Sequence, residues 1–525
     1  MNRPDSPLDR LAALRDSKRW DVLIIGGGAS GLGAAVDAAA RGYRTLLVEA
    51  RDFASGTSSC STKLIHGGVR YLRQGDFALV SHALHERSHL LANAPHLVHP
   101  LAFVIPAWRG IDWVVYGAGL KFYDLLAGHH SLDASVSLNR QEVIAALPGL
   151  RRKHLCGGIR YWDGQFDDAR LAITLMRTAI DLGATCLNYL PVTRLLKSGG
   201  RIVGAVLRDA ESEEQFEIQA RAVINATGVH ADRVRQMDEP TAPPLLTPSQ
   251  GIHLVVDADF LPGQQALMIP KTEDGRVMFA IPWQGKVLLG TTDTPRPELH
   301  QLDDPLPLDR EIDFLLHTAA GVLVQPPTRT DIRSAFAGLR PLIHPENNSD
   351  HRSTSALSRD HAIMVSTSGL ITIAGGKWTT YRRMGEQVVD CAIQVAGLPA
   401  ELSMTRTLKL HGCPTKPEND NPLGTDASLL IELPGHDRVL HPAFPYSEAQ
   451  VRFAIRHEAA RTTEDILARR TRAFFLDAKA AESSIQRVGE ILAQELTLSP
   501  ERLQAITSQA QQSARRFQGI PPDNR

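Results

Sequence analysis

The pattern of apolar and polar positions near the start of the chain predicts a strand, a helix and a second strand in immediate succession. The apolar run at 22–25 is typical of a buried parallel strand, an alanine-rich helix follows it, and a second apolar run at 45–48 ends at Glu49. The turn between the first strand and the helix carries three glycines with G-x-G-x-x-G spacing, Gly26, Gly28 and Gly31. This order of elements is a βαβ unit of the kind that binds dinucleotides.

Each of these positions has a physical role in such a unit. Gly26 permits the tight turn, Gly28 lets the backbone approach a pyrophosphate, and Gly31 allows close packing of helix on strand. The free N–H groups and the positive dipole end of the helix face the phosphates. Glu49 is placed to accept hydrogen bonds from a ribose, which favours FAD or NAD over NADP and leaves those two open.

The pattern changes twice further along the chain. From about 241 to 350, short strands alternate with proline and glycine turns, as at 276–283 and 286–290, which predicts an antiparallel sheet inserted into the nucleotide-binding domain. The run 369–377 then returns to a strand that ends in a glycine turn. Beyond a linker-like stretch at 416–424, a helical pattern continues nearly to the end of the chain.

Composition and charge narrow the functional classes. A chain of 525 residues predicts two or three domains, and a net charge of -1 provides no overall field for nucleic acid or an acidic membrane. The five cysteines are scattered without a C-x-x-C pair, which argues against a disulfide framework or structural zinc. The sequence contains neither a signal peptide pattern nor an apolar run of membrane-spanning length, so we expect a cytosolic protein or one bound to the cytosolic face of a membrane.

Two segments invite a functional interpretation that we weigh against a structural one. The pentapeptide 85–89 matches the zinc motif H-E-x-x-H, but Arg87 would place a cation beside the metal and no third ligand is evident. We therefore predict no metal, with His82, His85 and His89 on a solvated helix face. The aromatic segment 111–126 is too polar to span a bilayer; we favour a core helix over an interfacial one.

The segment 58–72, SSCSTKLIHGGVRYL, concentrates hydroxyl, cationic, histidine and glycine residues. Further motifs follow in order: NATG at 225–228, GTTD at 290–293, GLRPL at 338–342, LSRD at 357–360 and GGKWTTYR at 375–382. With the opening GGGASG, these motifs closely resemble the FAD-dependent glycerol-3-phosphate dehydrogenases over roughly residues 20 to 400. The helical part from Ala459 onwards is similar to the cap of that family, and Cys60 stands where arginine or alanine is more usual.

The resemblance, with the patterns above, implies an α/β fold. It would consist of a Rossmann-like FAD-binding domain, an inserted antiparallel β-sheet domain for the substrate, and a C-terminal α-helical domain. We predict an N-terminal extension at 1–19, an FAD-binding domain at 20–95, 155–240 and 351–400, a substrate domain at 96–154 and 241–350, a linker at 401–430, and the helical domain at 431–525.

The resemblance also implies an activity. The enzyme would oxidise sn-glycerol 3-phosphate to dihydroxyacetone phosphate, with transfer of hydride to FAD and reoxidation by membrane quinone. We assume, independently of the resemblance, that the FAD is not covalently bound. It further implies a peripheral membrane protein at the cytoplasmic face of the inner membrane, active in glycerol metabolism and forming a homodimer. The segment 108–126 is our candidate for membrane contact.

Chemistry supports a phosphate substrate. A phosphomonoester dianion needs several cationic donors, and arginine suits bidentate binding of its oxygens. The cations at positions that match the substrate pocket of the family are Arg70, Arg340, Arg359 and Lys377, with Tyr71 beside them. For removal of the hydroxyl proton, His66 is the first candidate and His253 the second, since histidine titrates near working pH; Arg340 completes the predicted catalytic set.

The resemblance places the cofactor against residues from several motifs. Backbone N–H groups of 375–379 would stabilise negative charge developing on the reduced flavin. The predicted cofactor-binding residues are Gly26, Gly28, Gly31, Glu49, Thr57, Ser58, Ser59, Ser61, Lys63, Leu64, His66, Gly67, Val192, Ala226, Thr227, Gly228, Gly376, Lys377, Trp378 and Thr379.

Three alternatives remain open from sequence. The same substrate with O2 as acceptor describes an oxidase that releases peroxide. An amine or amino-acid oxidase has the same fold, but binds a carboxylate with fewer cations. A flavoprotein that uses FAD only structurally, or binds a partner, would not depend on Arg340 or Lys377.

Overall fold

A computed structural model describes residues 10–15, 19–69, 76–296, 303–343, 361–415 and 421–519. The strands are β1 Trp20–Ile25, β2 Thr45–Val48, β3 Leu64–Ile65, β4 Val98–Ala107, β5 Val136–Asn139, β6 Gly157–Phe166, β7 Thr185–Leu187, β8 Val192–Ser198, β9 Arg201–Arg208, β10 Gln215–Asn225, β11 Leu246–Asp257, β12 Ala266–Ile269, β13 Met278–Trp283, β14 Lys286–Gly290, β15 Thr294–Pro295, β16 Ser334–Ile343, β17 His361–Val365 and β18 Leu370–Gly375. The α-helices are α1 Ala12–Arg15, α2 Ala29–Ala40, α3 Phe77–Asn93, α4 Gly110–Ala127, α5 Arg140–Ala146, α6 Asp168–Asp181, α7 Ala231–Asp238, α8 Asp309–Val322, α9 Tyr381–Ala396, α10 Leu429–Glu432, α11 Glu448–His457, α12 Ala473–Leu476, α13 Ala478–Glu482, α14 Ile485–Leu496 and α15 Pro500–Phe517.

The first sheet is built on the predicted βαβ unit. Its main path runs β17-β18-β10-β1-β2-β7, and the pairs β18–β10, β10–β1, β1–β2 and β2–β7 are parallel. All four residues of β2 are buried, as expected for a parallel strand covered on both faces. The predicted strand 45–48 has the observed bounds of β2, and Glu49 follows it at the edge where ligands of such sheets bind.

The second sheet has ten strands and is mostly antiparallel. Its path runs β15-β11-β14-β13-β12-β4-β6-β3, with β16 paired to β11 and β5 to β6. The predicted antiparallel strands around 276–290 are β13 and β14, joined by a tight turn. Strands β3 and β6 fall in ranges that we assigned to the FAD-binding domain, yet they pair in this sheet, because β6 runs antiparallel to β4 over ten positions from Val98↔Phe166 to Ala107↔Gly157.

The end of the chain forms a C-terminal helical unit, by which we mean residues 429–517. Within it, the backbone of 465–470 follows a π-helix, and all six of its residues are buried. Apolar side chains of α12, α14 and α15 share one hydrophobic cluster with the second sheet. The rings of Phe336 on β16 and Phe475 on α12 lie 4.7 Å apart. The predicted fold class, a Rossmann-like domain with an inserted antiparallel sheet and a C-terminal helical domain, is therefore confirmed.

Helix α4 corrects one of our interpretations. The segment 111–126 is helical, but it is not a core helix, because only one side of it packs on the protein through Leu120, Tyr123 and Ala127. The other side presents exposed apolar side chains, namely Ile111, Val114, Val115, Phe122 and Leu125. Hydrophobicity along the sequence does not reveal which face of a helix lacks a partner. Among the residues that the structure describes, no helix is long and apolar enough to cross a bilayer.

The H-E-x-x-H segment lies on α3, and its charged residues form structural contacts. The expectation of a solvated face holds for His82, which is exposed, but His85 is half-buried against the ring of His130 at 4.5 Å. Glu86 is buried and accepts hydrogen bonds from Arg382 Nε at 2.8 Å and Nη2 at 2.6 Å. Arg87 donates to Asp163 at 2.6 Å. The two charged residues of the motif therefore connect α3 to α9 and to β6.

Candidate active site

The central feature of the molecule is a cavity of about 630 Å³ between the two sheets. One end is lined by the glycine turn of the βαβ unit, and the other by β11, β16 and the turn after β14. The C-terminal helical unit closes part of it with Glu464, Arg469, Phe475, Arg516 and Phe517. A cavity of this size is in the range of cofactor and ligand sites.

The glycine turn is shaped for the close backbone approach that a dinucleotide requires. A Cβ on Gly31 would lie 1.9 Å from the carbonyl oxygen of Gly26, so helix and strand would have to separate. The amide of Ala29, in the first turn of α2, donates to Ser58 Oγ at 3.0 Å. Glu49 accepts from the amides of Gly27 at 2.6 Å and Arg51 at 2.9 Å, which orients its carboxylate at the cavity wall.

The strip 57–66 is held against the segment after β18 by hydrogen bonds to its backbone. Trp378 Nε1 donates to the carbonyl of Ser58 at 2.9 Å. The amide of His66 donates to Thr379 Oγ1 at 3.2 Å, and the same hydroxyl lies 3.2 Å from the carbonyl of His66. Segments more than 310 positions apart in the sequence therefore form one wall of the cavity. Many of the predicted cofactor-binding residues belong to this wall.

Strand pairing brings His253 and Arg340 to one face of the second sheet. In the antiparallel pair β11–β16, Ser249 is opposite Arg340 and His253 is opposite Phe336. Opposed residues share a face, and so do residues two or four apart on one strand. His253, Phe336 and Arg340 consequently all face the cavity.

Arg340 is oriented by the turn that follows β14. Its Nη2 donates to Thr291 Oγ1 at 3.1 Å and to the carbonyl of Thr292 at 3.0 Å, while Nη1 donates to Asp293 Oδ1 at 3.3 Å. A Cβ on Gly251 would lie 2.3 Å from the guanidinium, so a larger residue there would displace the Arg340 side chain from this position. The side chain of Arg340 remains 22% exposed, which leaves part of the guanidinium open to the cavity.

His253 is a buried imidazole with one hydrogen-bonded nitrogen. Its Nε2 lies 2.9 Å from Thr62 Oγ1, and its ring stacks on Phe336 at 5.0 Å. Within the described ranges, Nδ1 has no hydrogen-bond partner. Burial, together with the positive charges of Lys63 and Arg340, lowers the pKa of His253 well below its usual 6.5, because the charged form is disfavoured. The imidazole is therefore neutral at neutral pH.

Most of the predicted site residues that the structure describes line this single cavity. They are Gly26, Gly28, Glu49, Thr57, Ser58, Ser59, Ser61, Leu64, His66, Val192, Ala226, Thr227, Gly228, His253, Arg340, Gly376, Lys377, Trp378 and Thr379. Three predicted cofactor residues do not line it: Gly31 packs against Gly26, Gly67 packs against Tyr123 and Leu84, and the Lys63 side chain is fully buried. Arg70, Tyr71 and Arg359 lie outside the described residues, so their roles stay predictions.

Several residues of the site were missed by the sequence analysis. Asp293 lies inside the GTTD motif, which signalled its importance without revealing that it orients Arg340. Asp163 lines the cavity and accepts a hydrogen bond from Tyr123 at 2.9 Å. Burial raises the pKa of Asp163, although Arg87 opposes that effect. No local pattern identified Asp163, since its partners come from α3 and α4.

Comparisons with known proteins now identify the family. A family model described as FAD dependent oxidoreductase matches residues 21–382, and one described as C-terminal domain of alpha-glycerophosphate oxidase matches residues 422–503. The mitochondrial glycerol-3-phosphate dehydrogenase of Mesocricetus auratus is 39% identical over 544 residues, covering 96% of this chain and 74% of that protein. The chain belongs to the FAD-dependent glycerol-3-phosphate dehydrogenases.

Solved structures agree with this membership. A glycerol-3-phosphate dehydrogenase from Bacillus halodurans, complexed with FAD, is 29% identical with a TM-score of 0.77, and the match covers 99% of each chain. An L-alpha-glycerophosphate oxidase from Mycoplasma pneumoniae with FAD bound is 16% identical with a TM-score of 0.57, covering 74% of this chain and 96% of that chain; it shares the fold alone.

The predicted cofactor, FAD, is confirmed for this dehydrogenase family, and the cavity of this member fits it. The crowded Gly26–Gly31 turn, the helix N-terminus at Ala29 and the Glu49 carboxylate suit the dinucleotide end. Ser58, Trp378 and Thr379 line the wall that leads from there towards His253 and Arg340. FAD held by these residues would supply a two-electron acceptor.

Proposed function

We propose that this enzyme oxidises the C2 hydroxyl of sn-glycerol 3-phosphate, yielding dihydroxyacetone phosphate, and passes the electrons from FAD to a membrane quinone. The observation that carries the proposal is the placement of a neutral imidazole and an oriented guanidinium on one face of β11 and β16, inside the cofactor cavity. The imidazole can accept a hydroxyl proton, and the guanidinium can bind a phosphate. The name of the relative from Mesocricetus auratus, a glycerol-3-phosphate dehydrogenase, supports the same substrate.

Arg340 is our proposed phosphate anchor. Its guanidinium is always charged, and the contacts with Thr291, Thr292 and Asp293 fix its plane before substrate arrives. Lys377 lines the same cavity and adds a second cation for the dianion. Binding through these groups positions the substrate carbon chain without entering the reaction itself.

His253 is our proposed general base. Its neutral state at working pH would allow it to accept the C2 hydroxyl proton. FAD, when bound, would supply the acceptor for the hydride. Thr62 holds the ring at one nitrogen, and Phe336 fixes its plane by stacking. His66, our first candidate from sequence, also lines the cavity, and its backbone is hydrogen-bonded to Thr379. We prefer His253 because Thr62 and Phe336 orient its ring.

The substrate and acceptor are tested together with purified holoenzyme. Anaerobic addition of glycerol 3-phosphate should bleach the visible flavin absorbance, whereas sarcosine should leave it unchanged. A quinone analogue should then restore the absorbance at least about tenfold faster than air-saturated buffer. Bleaching by sarcosine alone would contradict the substrate, and faster recovery with oxygen would identify an oxidase instead.

Contact with a membrane surface is proposed for α4. Its exposed side carries Val114 and Leu125, whose side chains are 67% and 73% exposed. Phe122 lies on the same side, and its ring packs edge-on against that of Phe77 at 5.2 Å. Apolar side chains aligned on one helix face are suited to insertion at the lipid headgroup boundary. A quinone dissolved in the bilayer would then be delivered close to the enzyme, on the cytoplasmic face of the inner membrane that we predict.

Vesicle sedimentation tests this surface. We expect Val114→Glu to reduce the fraction of enzyme that sediments with lipid vesicles several-fold, because a buried charge at the interface is costly. The matched control is Val439→Glu, a 60% exposed valine in the C-terminal helical unit, which should bind like the wild type. Equal sedimentation of all three proteins would remove α4 as the contact.

A further inference from the structure

Beneath the wall of the cavity lies a buried ionic cluster that the proposed reaction does not use. Lys63, Asp168 and Arg472 have side chains exposed by 0%, 0% and 2%. Lys63 comes from the strip, Asp168 begins α6, and Arg472 belongs to the C-terminal helical unit. Three distant parts of the chain therefore meet at this cluster.

Both cations bridge the same two acceptors. Lys63 Nζ donates to the carbonyl of Ser59 at 2.6 Å and to the two oxygens of Asp168 at 2.8 and 2.7 Å. Arg472 Nη2 donates to the same carbonyl at 2.9 Å and to Asp168 Oδ1 at 3.0 Å. Asp168 Oδ2 also accepts from the amide of Ser61 at 2.9 Å and from its hydroxyl at 2.7 Å. Burial alone would raise the pKa of Asp168, but the positive charges of Lys63 and Arg472 lower it.

The residues fixed by these bonds are the ones that face the cofactor cavity. Ser59, Cys60, Ser61 and Thr62 all line it, while Lys63 points away into the cluster with a backbone φ of 61°. That left-handed conformation is strained for lysine, so the surrounding contacts must hold it. Thr62 in turn orients His253. A shift of Ser59 or Ser61 would therefore change both the cofactor wall and the support of the imidazole.

Aromatic rings surround the cluster and exclude water from it. Lys63 Nζ lies 5.0–5.5 Å from the ring centroids of Trp283, Phe336 and Phe475, and the Arg472 guanidinium lies 3.9 Å from that of Phe475. Burial lowers the pKa of Lys63 to about 8, against the attraction of Asp168. In such surroundings, hydrogen bonds to charged groups are strong and costly to lose.

A second contact joins the C-terminal helical unit to the cofactor half of the molecule. Arg469 Nε donates to Asp52 Oδ2 at 2.5 Å, and Arg470 donates to both oxygens of Asp52 at 2.6 and 2.9 Å. Asp52 follows Arg51, which lines the cavity next to Glu49. Besides lining the cavity directly, the unit thus supports two segments of its wall from behind, through Asp52 and through Ser59.

We propose that Arg472 is a positioning residue of the cofactor site: through Ser59 and Asp168 it fixes the Ser59–Thr62 wall, so that the C-terminal helical unit and bound FAD stabilise each other. The unit is then a component of the FAD site rather than an appended domain. Without the Arg472 guanidinium, Ser59 and Asp168 each lose a hydrogen bond, while Lys63 still neutralises Asp168. The chain stays folded, but its affinity for FAD falls.

The test is the rate of FAD release from holoenzyme after dilution, followed by flavin fluorescence, with far-UV circular dichroism recorded in parallel. Arg472→Met should release FAD about tenfold faster or more while the dichroism is unchanged, since it loses hydrogen bonds to a carboxylate and a carbonyl. Arg472→Lys, which restores a cation and donors, should return to within about threefold of wild type. The matched control, Arg487→Met, removes an arginine of the same unit that pairs with Glu448 and Glu490, and should behave as wild type.

Release of FAD at the wild-type rate by folded Arg472→Met would overturn the proposal. If Arg472→Met loses the wild-type dichroism, hydrogen exchange on the wild type decides instead. The amides of Phe475 and Leu476 donate to the carbonyl of Arg472 at 2.9 and 3.1 Å. They should exchange faster after FAD is depleted, while the amides of α8, which lies outside the unit, are unaffected. Unchanged exchange at both amides would contradict the linkage.

Discussion

Replacing His253 by glutamine is expected to lower kcat by about 10²–10⁴-fold, the usual contribution of a positioned general base. Glutamine keeps a hydrogen-bonding group for Thr62 but does not take up the substrate proton. KM for glycerol 3-phosphate should change little, because we propose Arg340 and Lys377, not His253, for the phosphate contacts. Steady-state kinetics with an artificial acceptor measures both parameters.

The pH dependence gives a second, independent check on His253. Its pKa lies below 6.5 in the folded protein, so the neutral base is fully present above that pH and is lost only as the pH falls through the lowered value. Wild-type kcat/KM, which reports ionisations of the free enzyme, should therefore show no loss due to His253 from about pH 8 down to 6.5. A midpoint above pH 6.5, or a larger loss of kcat in His66→Gln, would transfer the role away from His253. His317→Gln, an exposed histidine on α8, is the matched control.

Replacing Arg340 by alanine is expected to raise KM for glycerol 3-phosphate by about 10²-fold or more, since each hydrogen bond to a charged group contributes about 1.5–3 kcal/mol. Phosphate binding is equal in the ground state and the transition state, so kcat should fall much less. Initial rates over a wide substrate range separate the two parameters. Arg340→Lys should be intermediate, because a lysine keeps the charge but lacks the planar fork.

The matched control for Arg340 is Arg333, which precedes β16 and pairs with Asp257 on the surface. Arg333→Ala should leave KM unchanged. Asp293→Asn should raise KM by a smaller factor than Arg340→Ala, because it removes the carboxylate that orients the guanidinium while the bonds to Thr291 and Thr292 remain. If Arg340→Ala lowers kcat and leaves KM unchanged, Arg340 does not bind the phosphate.

The parts of the fold that depend on local signals were predictable. The turn 26–31 and the strand 45–48 are encoded by residues adjacent in sequence, and the structure has them where the pattern placed them. These signals concern backbone conformation and short-range spacing, which a single sequence expresses directly. Arg340, in contrast, was marked as a site residue by the resemblance of GLRPL to a motif of the family.

The contacts that complete the site are long-range, and the sequence alone did not reveal them. His253 and Arg340 share a face only because β11 and β16 pair in one particular register, and a shift of one residue would place them on opposite faces. Arg472 and Asp168 are 304 positions apart. Helix α4 was misjudged for a related reason, since its pattern shows apolar residues but not which neighbours cover them.

The order of strands in the first sheet has a consequence for biosynthesis. Strand β1 pairs with β10, and β10 with β18, so the sheet that carries the glycine turn is assembled from segments made early and late in translation. At ribosomal rates, on the order of tens of seconds separate the emergence of β1 from that of β18, which pairs with β10. Arg472 emerges later still. The nascent chain thus exposes apolar strand edges for most of its synthesis, and chaperone protection is most valuable during that interval.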